Sequence, residues 1–466
     1  MDYSVRQICG ITGGKLLFGD PETRLHHVTF DSRTMLGEDL FIPVPGEKVD
    51  GHRFIGGAFA CGAAASLTAR EDAVPPRDTL PEGCAVILVD DTFEALQTLG
   101  RYRREHELKM PMVGITGSVG KTTTREMTTA ALSAGGRVTA SIRNMNSQLG
   151  VPVTLCHMDE TADFAVAEMG ISLPGEMDRL AAMVRPDLVL VTNIGLAHIE
   201  NLGSREGICR EKMKITDRLP EDGAAILNGD EPLLRGFSKD KPFRTVFYGL
   251  GPDCGVSAKD IIYGDSASFT AHFPASLCGE EREIPVQLSV PGEHHVMDAL
   301  AALSAAAFLG VDLEAAAQAL TGFGGFARRW ERVQLGGLQL IDDAYNANPV
   351  SMKASLASFA RLKAARRIAV IADMLELGPE APAMHREVGE YAAALPVDIF
   401  LTVGSFMEEA DAALGAAGKT VLHAADAEEA AGILLELAAD GDAVLLKGSN
   451  SMHLDKVRKA LAEEMK

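Results

Sequence analysis

Short apolar runs recur along this chain with helix-forming stretches between them, the pattern of strands buried on both faces and covered by helices. The clearest runs are 111–115, 164–167 and 188–191, then, beyond a glycine cluster at 322–326, 338–341, 368–371, 399–403 and 443–446. Residues 122–134 and 206–219 read as two of the intervening helices. Strands spaced by helices predict parallel sheets, so the fold class is α/β. Residues 1–108 differ: they are short strand-like pieces rich in glycine, ending in a polar helical stretch at 99–107. That charged stretch and the glycine cluster mark the predicted boundaries, giving domains at 1–108, 109–325 and 326–466.

Length fits this division, since 466 residues suffice for about three domains of ordinary size. The balance of 44 Lys and Arg against 65 Asp and Glu, a net charge of -21, argues against a nucleic-acid backbone as partner. The 7 cysteines are scattered without metal-knuckle spacing and read as reduced, mostly buried thiols. No run of about 18 uncharged apolar residues occurs, and Met1-Asp2-Tyr3-Ser4-Val5-Arg6 lacks an apolar signal core. The expectation is a cytoplasmic protein with no membrane insertion.

Chemistry enters at GITGSVGKTTT, residues 114–124, which lies between the first central strand and its helix. Small residues at Gly117, Ser118, Val119 and Gly120 let backbone N–H groups turn toward an anion, to which Lys121 adds a charge and the helix its dipole. Thr122 offers a hydroxyl to magnesium, and Thr123 continues the loop into the helix. The spacing is a short form, GxxGKTT, because Ile115 stands where the longer motif has glycine. A nucleotide triphosphate is the expected ligand. Glu168 follows the next strand and His198 lies beyond the one after, both at the rim where open α/β sheets bind ligands, which makes them metal-ligand candidates. Lys212 and Lys214 read, on residues alone, as a solvated helix face.

Further segments extend this picture in a fixed order: NMNSQLGVP at 144–152, EMG at 168–170 with PGE at 174–176, TNIGLAHIENLGS at 192–204, and DDAYNANPVSMK at 342–353. DMLELG at 373–378 with His385, and KGS at 447–449, continue it. DSR at 31–33, Leu40-Phe41 and DGHRF at 50–54 precede it. Across nearly its whole length the chain resembles the Mur ligases. Segment 342–353 is similar to members that join D-alanyl-D-alanine to UDP-N-acetylmuramoyl-tripeptide in peptidoglycan synthesis.

The resemblance implies an N-terminal UDP-sugar-binding domain, a central ATP-binding domain and a C-terminal Rossmann-like domain. It also implies an ATP-dependent amide ligation through an acyl phosphate. Lys121 and the loop would hold the phosphates, with His198 and Lys212 in catalytic roles. Thr122, Glu168 and His198 would hold magnesium, and Lys212 would carry a carbamate from carbon dioxide. His294, Asp298, Arg329 and Asp343 would complete the ATP site. Ser32, Arg33 and Asn146 would contact the UDP substrate, and Asn346, Asn348 and Ser351 the dipeptide. A monomer is implied. The chain departs from the family pattern at Ser147, His295, Asp298, Arg328 and Asn450. A sister ligase adding a single amino acid and a non-catalytic binding protein stay open as alternatives.

Overall fold

A computed structural model describes residues 1–46, 49–239 and 241–464. Three main sheets divide the chain in sequence order. The first has five strands, ordered Lys15–Phe18, Ala85–Leu88, Ala63–Thr68, Asp39–Phe41 and His27–Thr29, parallel except at the first pairing. The helix Thr92–His106 closes this unit and packs on the helix Gly150–His157 of the next. A Cβ on Gly100 would lie 2.7 Å from the Pro152 backbone, so glycine permits the close approach.

The polar stretch read as a domain boundary also carries contacts between the first two units. Arg103 is 1% exposed and donates to the Met158 carbonyl at 2.6 Å and to Glu160 at 2.9 Å, fastening the first unit to the second.

Nine strands form the central sheet. The loop-bearing strand Met112–Thr116 runs between Phe164–Glu168 and Leu188–Val191, all parallel, with Glu168 beside Ile115 and Val191 beside Thr116. This register puts the glycine loop, Glu168 and the residues after Val191 at one rim. Burial of all five residues of Met112–Thr116 explains its uninterrupted apolar text.

The expected parallel pattern stops at Val256–Tyr263, beyond which Ala267–Phe273 and Arg282–Gln287 add antiparallel strands. Ala267, Phe269, Ala271 and Phe273 alternate inward, the period-two signature of a half-covered strand. The hairpin's tip touches the third unit: the Asp265 carboxylate accepts from the Lys363 N–H at 3.0 Å, and Arg361 lies 4.6 Å over the Tyr263 ring.

The third sheet is ordered Glu331–Leu335, Leu338–Asp342, Ala443–Lys447, Arg367–Ala372, Ile399–Val403 and Thr420–Ala424, antiparallel only at its first pairing. The four strands expected from the apolar runs are all here.

Candidate active site

At the central rim, Gly117 has φ 151° and a Cβ there would fall 1.9 Å from Thr192 Oγ1, so only glycine lets the loop pass the neighbouring strand. Asn193 then fastens the loop: its carbonyl accepts from Ser118 N–H and its side-chain oxygen from Val119 N–H, each at 3.0 Å. Gly120, at φ 82°, opens the helix Lys121–Leu132 with no side chain capping its first amides and no acidic residue in its first turn. Free N–H groups and the positive end of the dipole therefore face the rim, ready for an anion.

Glu168 ends its strand 1% exposed, and its oxygens are fully engaged. Oε2 accepts from Thr122 Oγ1 at 2.9 Å and pairs with Arg125 at 3.2 Å, and Oε1 accepts from Asn146 Nδ2 at 2.7 Å. A buried carboxylate needs such partners. Arg125, also 1% exposed, was not among the expected residues. Its signal was helical spacing, three positions past Thr122 and hence on the same face. It also donates to the Arg143 carbonyl and lies 5.7 Å from the Phe326 ring centroid, at the glycine cluster.

Thr122 hydroxyl and Glu168 carboxylate are hard oxygen donors of the kind magnesium takes. No group of three His, Cys, Asp or Glu side chains able to hold a metal occurs among the described residues. Magnesium at nucleotide sites usually takes few protein ligands and the rest from phosphate and water.

Three basic groups gather within electrostatic reach of one another beside the loop. Burial pulls the Lys121 ammonium below the ordinary lysine value, with Glu168 opposing and Arg329 adding to the fall. Lys212, at the end of the helix Arg205–Met213, is 1% exposed, which corrects the solvated-face reading. Burial, then repulsion from Lys121, holds its ammonium well below the usual range. Lys214 does stay at the surface, paired with Asp178 at 2.7 Å and Glu211 at 2.8 Å. His198, at φ 62°, is lowered by burial and then by Lys212 and Lys121, against Glu376 and Glu176. His198 feels both lysines and Lys212 feels Lys121, so a polyanion arriving here would relieve their repulsion.

From the third unit, Arg329 lies 4.2 Å over the Tyr345 ring and acts electrostatically on both Lys121 and Asp298. Asp343 pairs with Lys447 at 2.8 Å, accepts from Ser355 Oγ and receives the Trp330 N–H at 3.1 Å. Two departures from the family pattern touch: Arg328 donates to Asn450 Oδ1 at 2.8 Å. Asp298 braces the loop from behind, accepting from Thr124 Oγ1 at 2.6 Å, and burial lifts its carboxyl to about 7. His294 stacks 4.0 Å from His295, and both rings edge toward Trp330.

Other expected contacts are spent locally. Asn348 and Ser351 form a reciprocal capping box on the helix Pro349–Phe359, at 2.9 and 3.0 Å, and Asn346 accepts from Ala347 N–H at 2.9 Å. Asn146 is held by Glu168. Ser32 and Arg33 stand apart on the first unit, where Arg33, its side chain 87% exposed, grips Asp31 with two bonds of 2.8 and 2.7 Å. Thr123 is buried beneath the loop.

Three family models match in chain order: Mur ligase family, catalytic domain, over residues 24–104; Mur ligase middle domain over 115–306; and Mur ligase, glutamate ligase domain, over 328–450. The chain is 38% identical over 448 residues to the UDP-N-acetylmuramoyl-tripeptide--D-alanyl-D-alanine ligase of Bacillus subtilis, covering 95% of this chain and 94% of that one. It is 33% identical to the Escherichia coli enzyme of the same name, over 99% of both. Among solved structures, MurF from Acinetobacter baumannii superposes with a TM-score of 0.87 at 30% identity, covering 100% and 99% of the two chains. MurF from Thermotoga maritima in complex with ADP gives 0.78 at 27% identity, over 94% and 98%.

Proposed function

The chain belongs to the Mur ligase family, and from that premise we propose that it is the ATP-dependent ligase that joins D-alanyl-D-alanine to UDP-N-acetylmuramoyl-tripeptide in peptidoglycan synthesis. The observation that carries the reading is one cluster: an uncapped glycine-loop helix, the Thr122–Glu168 oxygen pair, and Lys121, Lys212 and His198 within electrostatic reach of one another.

The reaction must bring a carboxylate to a triphosphate, two anions that repel. Lys121 and the amides of Gly120 to Thr122 hold the β- and γ-phosphates at a rim whose partly buried charges count for more than in solution. Thr122, Glu168 and His198 would hold magnesium, which supplies further positive charge where phosphate and carboxylate meet. Arg329 reaches the pocket from the C-terminal unit, so closure of that unit completes the cation set. The substrate carboxylate attacks the γ-phosphorus, ADP leaves, and the dipeptide amine then displaces phosphate from the acyl phosphate. His294 and Asp343 would face the nucleotide between the central and C-terminal units, while Asn346, Asn348 and Ser351 shape the turn that the dipeptide approaches.

Lys212 is proposed to carry a carbamate. Its neutral amine attacks carbon dioxide and loses a proton, leaving an anion where an ammonium repelled Lys121. The domains are proposed at 1–108, 109–325 and 326–466, each with one main sheet, and the protein as a cytoplasmic monomer. Among the described residues no helix is long and apolar enough to cross a membrane.

Phosphate release tests the reading, using purified protein with magnesium ATP, UDP-N-acetylmuramoyl-tripeptide and D-alanyl-D-alanine. Release that needs both peptide substrates is expected. Release with single amino acids would assign the sister reaction, and none would leave a binding protein. For Lys212, a carbamate resonance under ¹³C-labelled carbon dioxide is expected, absent in Lys212→Ala, whose lost turnover short carboxylic acids partly restore. Wild-type turnover in that variant would contradict the role.

A further inference from the structure

The DMLELG segment at 373–378 has no part in the reaction as derived so far, yet it is a built device. It leaves the strand Arg367–Ala372 at its C-terminal end. Met374 and Leu377 are buried in the core, at 0% and 6% exposure. Between them the backbone is held by side chains: Met374 N–H donates to His385 Nε2 at 2.9 Å, and Leu375 N–H to Ser449 Oγ at 2.9 Å. His385 is itself fully buried, its Nδ1 bonded to the Ala381 carbonyl at 2.6 Å. The clamped segment turns Glu376 outward at φ 63°, a left-handed conformation that costs a non-glycine residue energy.

Across the cleft, His198 is also left-handed, at φ 62°. The Glu376 carboxylate lies 3.9 Å from its Nδ1. Two residues with left-handed backbones, on different units, thus face each other beside the phosphate loop. Such strain persists only where surrounding structure holds it, and it gathers at functional sites.

We propose that Glu376 is a positioning residue for His198, engaging Nδ1 as the C-terminal unit closes and so leaving Nε2 as the free lone pair aimed into the cleft. A carboxylate on one ring nitrogen fixes the tautomer and orientation of the other, the usual support for a histidine that binds a cation or a phosphate proton. The device makes His198 competent only when the unit carrying Arg329 is in place, tying closure to chemistry. The proposal rests on the ligase reading given above.

The test compares Glu376→Ala and Glu376→Gln with wild type, all as full chains. Glu376 is exposed in the structure, so the variants fold, which thermal unfolding checks. Glu376→Ala should lower kcat about 10–100-fold, the range for losing a carboxylate behind a ligating histidine, with KM for the tripeptide substrate within about twofold. Glu376→Gln, which keeps an acceptor oxygen, should recover most of that loss. Long-range ¹H–¹⁵N spectra of histidine-labelled protein with magnesium and a non-hydrolysable ATP analogue should show His198 with Nδ1 protonated, and a mixture of tautomers in Glu376→Ala. Turnover of Glu376→Ala within twofold of wild type, or an unchanged His198 tautomer, would overturn the proposal. If wild type itself releases no phosphate, the ligase reading fails instead, and the tautomer spectra still decide the contact.

Discussion

Lys121 and Arg33 were both expected to bind phosphate-bearing ligands, and the structure treats them oppositely. Lys121 is half-buried beside the fully buried Arg125, Glu168 and Lys212, and the charges of this cluster depend on one another. Arg33 stands in solvent and neutralises Asp31 two residues away, holding that carboxyl below its usual range. Burying a charge costs several kcal/mol unless it is paired, so the central cluster persists only through mutual support. Surface pairs such as Asp31 with Arg33 contribute little to stability and are free to exchange partners when a ligand arrives. The central cluster is therefore preformed and brittle, and the Asp31–Arg33 pair is loose and replaceable.

The sharpest way to break this contrast is Lys121→Ala, expected to lower turnover about 10³-fold by removing a preorganised donor from the transition state. Phosphate-release kinetics check it, and a loss below tenfold would place the phosphates elsewhere. Arg125→Met should destabilise the fold by about 3–5 kcal/mol, because it leaves Glu168 buried without its cation. Urea unfolding measures this, and adding Glu168→Gln should return part of the loss if the pair is the cause.

Asp298 sharpens the comparison through pH. Burial raises its carboxyl to about 7, so the folded chain keeps a proton that the unfolded chain releases above about pH 4. The unfolded state then binds fewer protons, and stability falls as pH rises through that window, by up to about 1.4 kcal/mol per unit. Asp298→Asn removes the loss. Its melting temperature relative to wild type should climb from pH 4 to 7 and level off above. A constant difference would mean Asp298 is ionised throughout. Arg33→Ala should be the mildest, changing unfolding free energy by less than about 0.5 kcal/mol while weakening the UDP substrate. Isothermal titration and denaturation together separate the two effects.

The sequence already carried the central strand, the loop and Glu168, because a strand–loop–helix phosphate site is written in contiguous residues whose chemistry is local. The hairpin Val256–Tyr263 with Ala267–Phe273 escaped, since its alternation is short and follows a run of parallel strands. Lys212 looked solvated by composition, and only the packing of its helix among neighbouring helices buries it. Asn348 and Ser351 were legible as polar residues near a turn, but their spacing also satisfies a capping box, and a helix start meets that demand first. Arg125 and Glu376 depend on partners 43 and 178 positions away, Glu168 and His198, a separation that no local pattern encodes.

A crystal structure of the full chain with magnesium and a non-hydrolysable ATP analogue tests the central claim most directly. The account predicts the terminal phosphates on the amides of Gly120 to Thr122, with a cation contacting Thr122 Oγ1 and Glu168, and with Lys121, whose Nζ donates to the Gly117 carbonyl at 2.9 Å, turned toward the γ-phosphate. A nucleotide bound away from that loop, or bound there with Lys121 and Glu168 uninvolved, would contradict it.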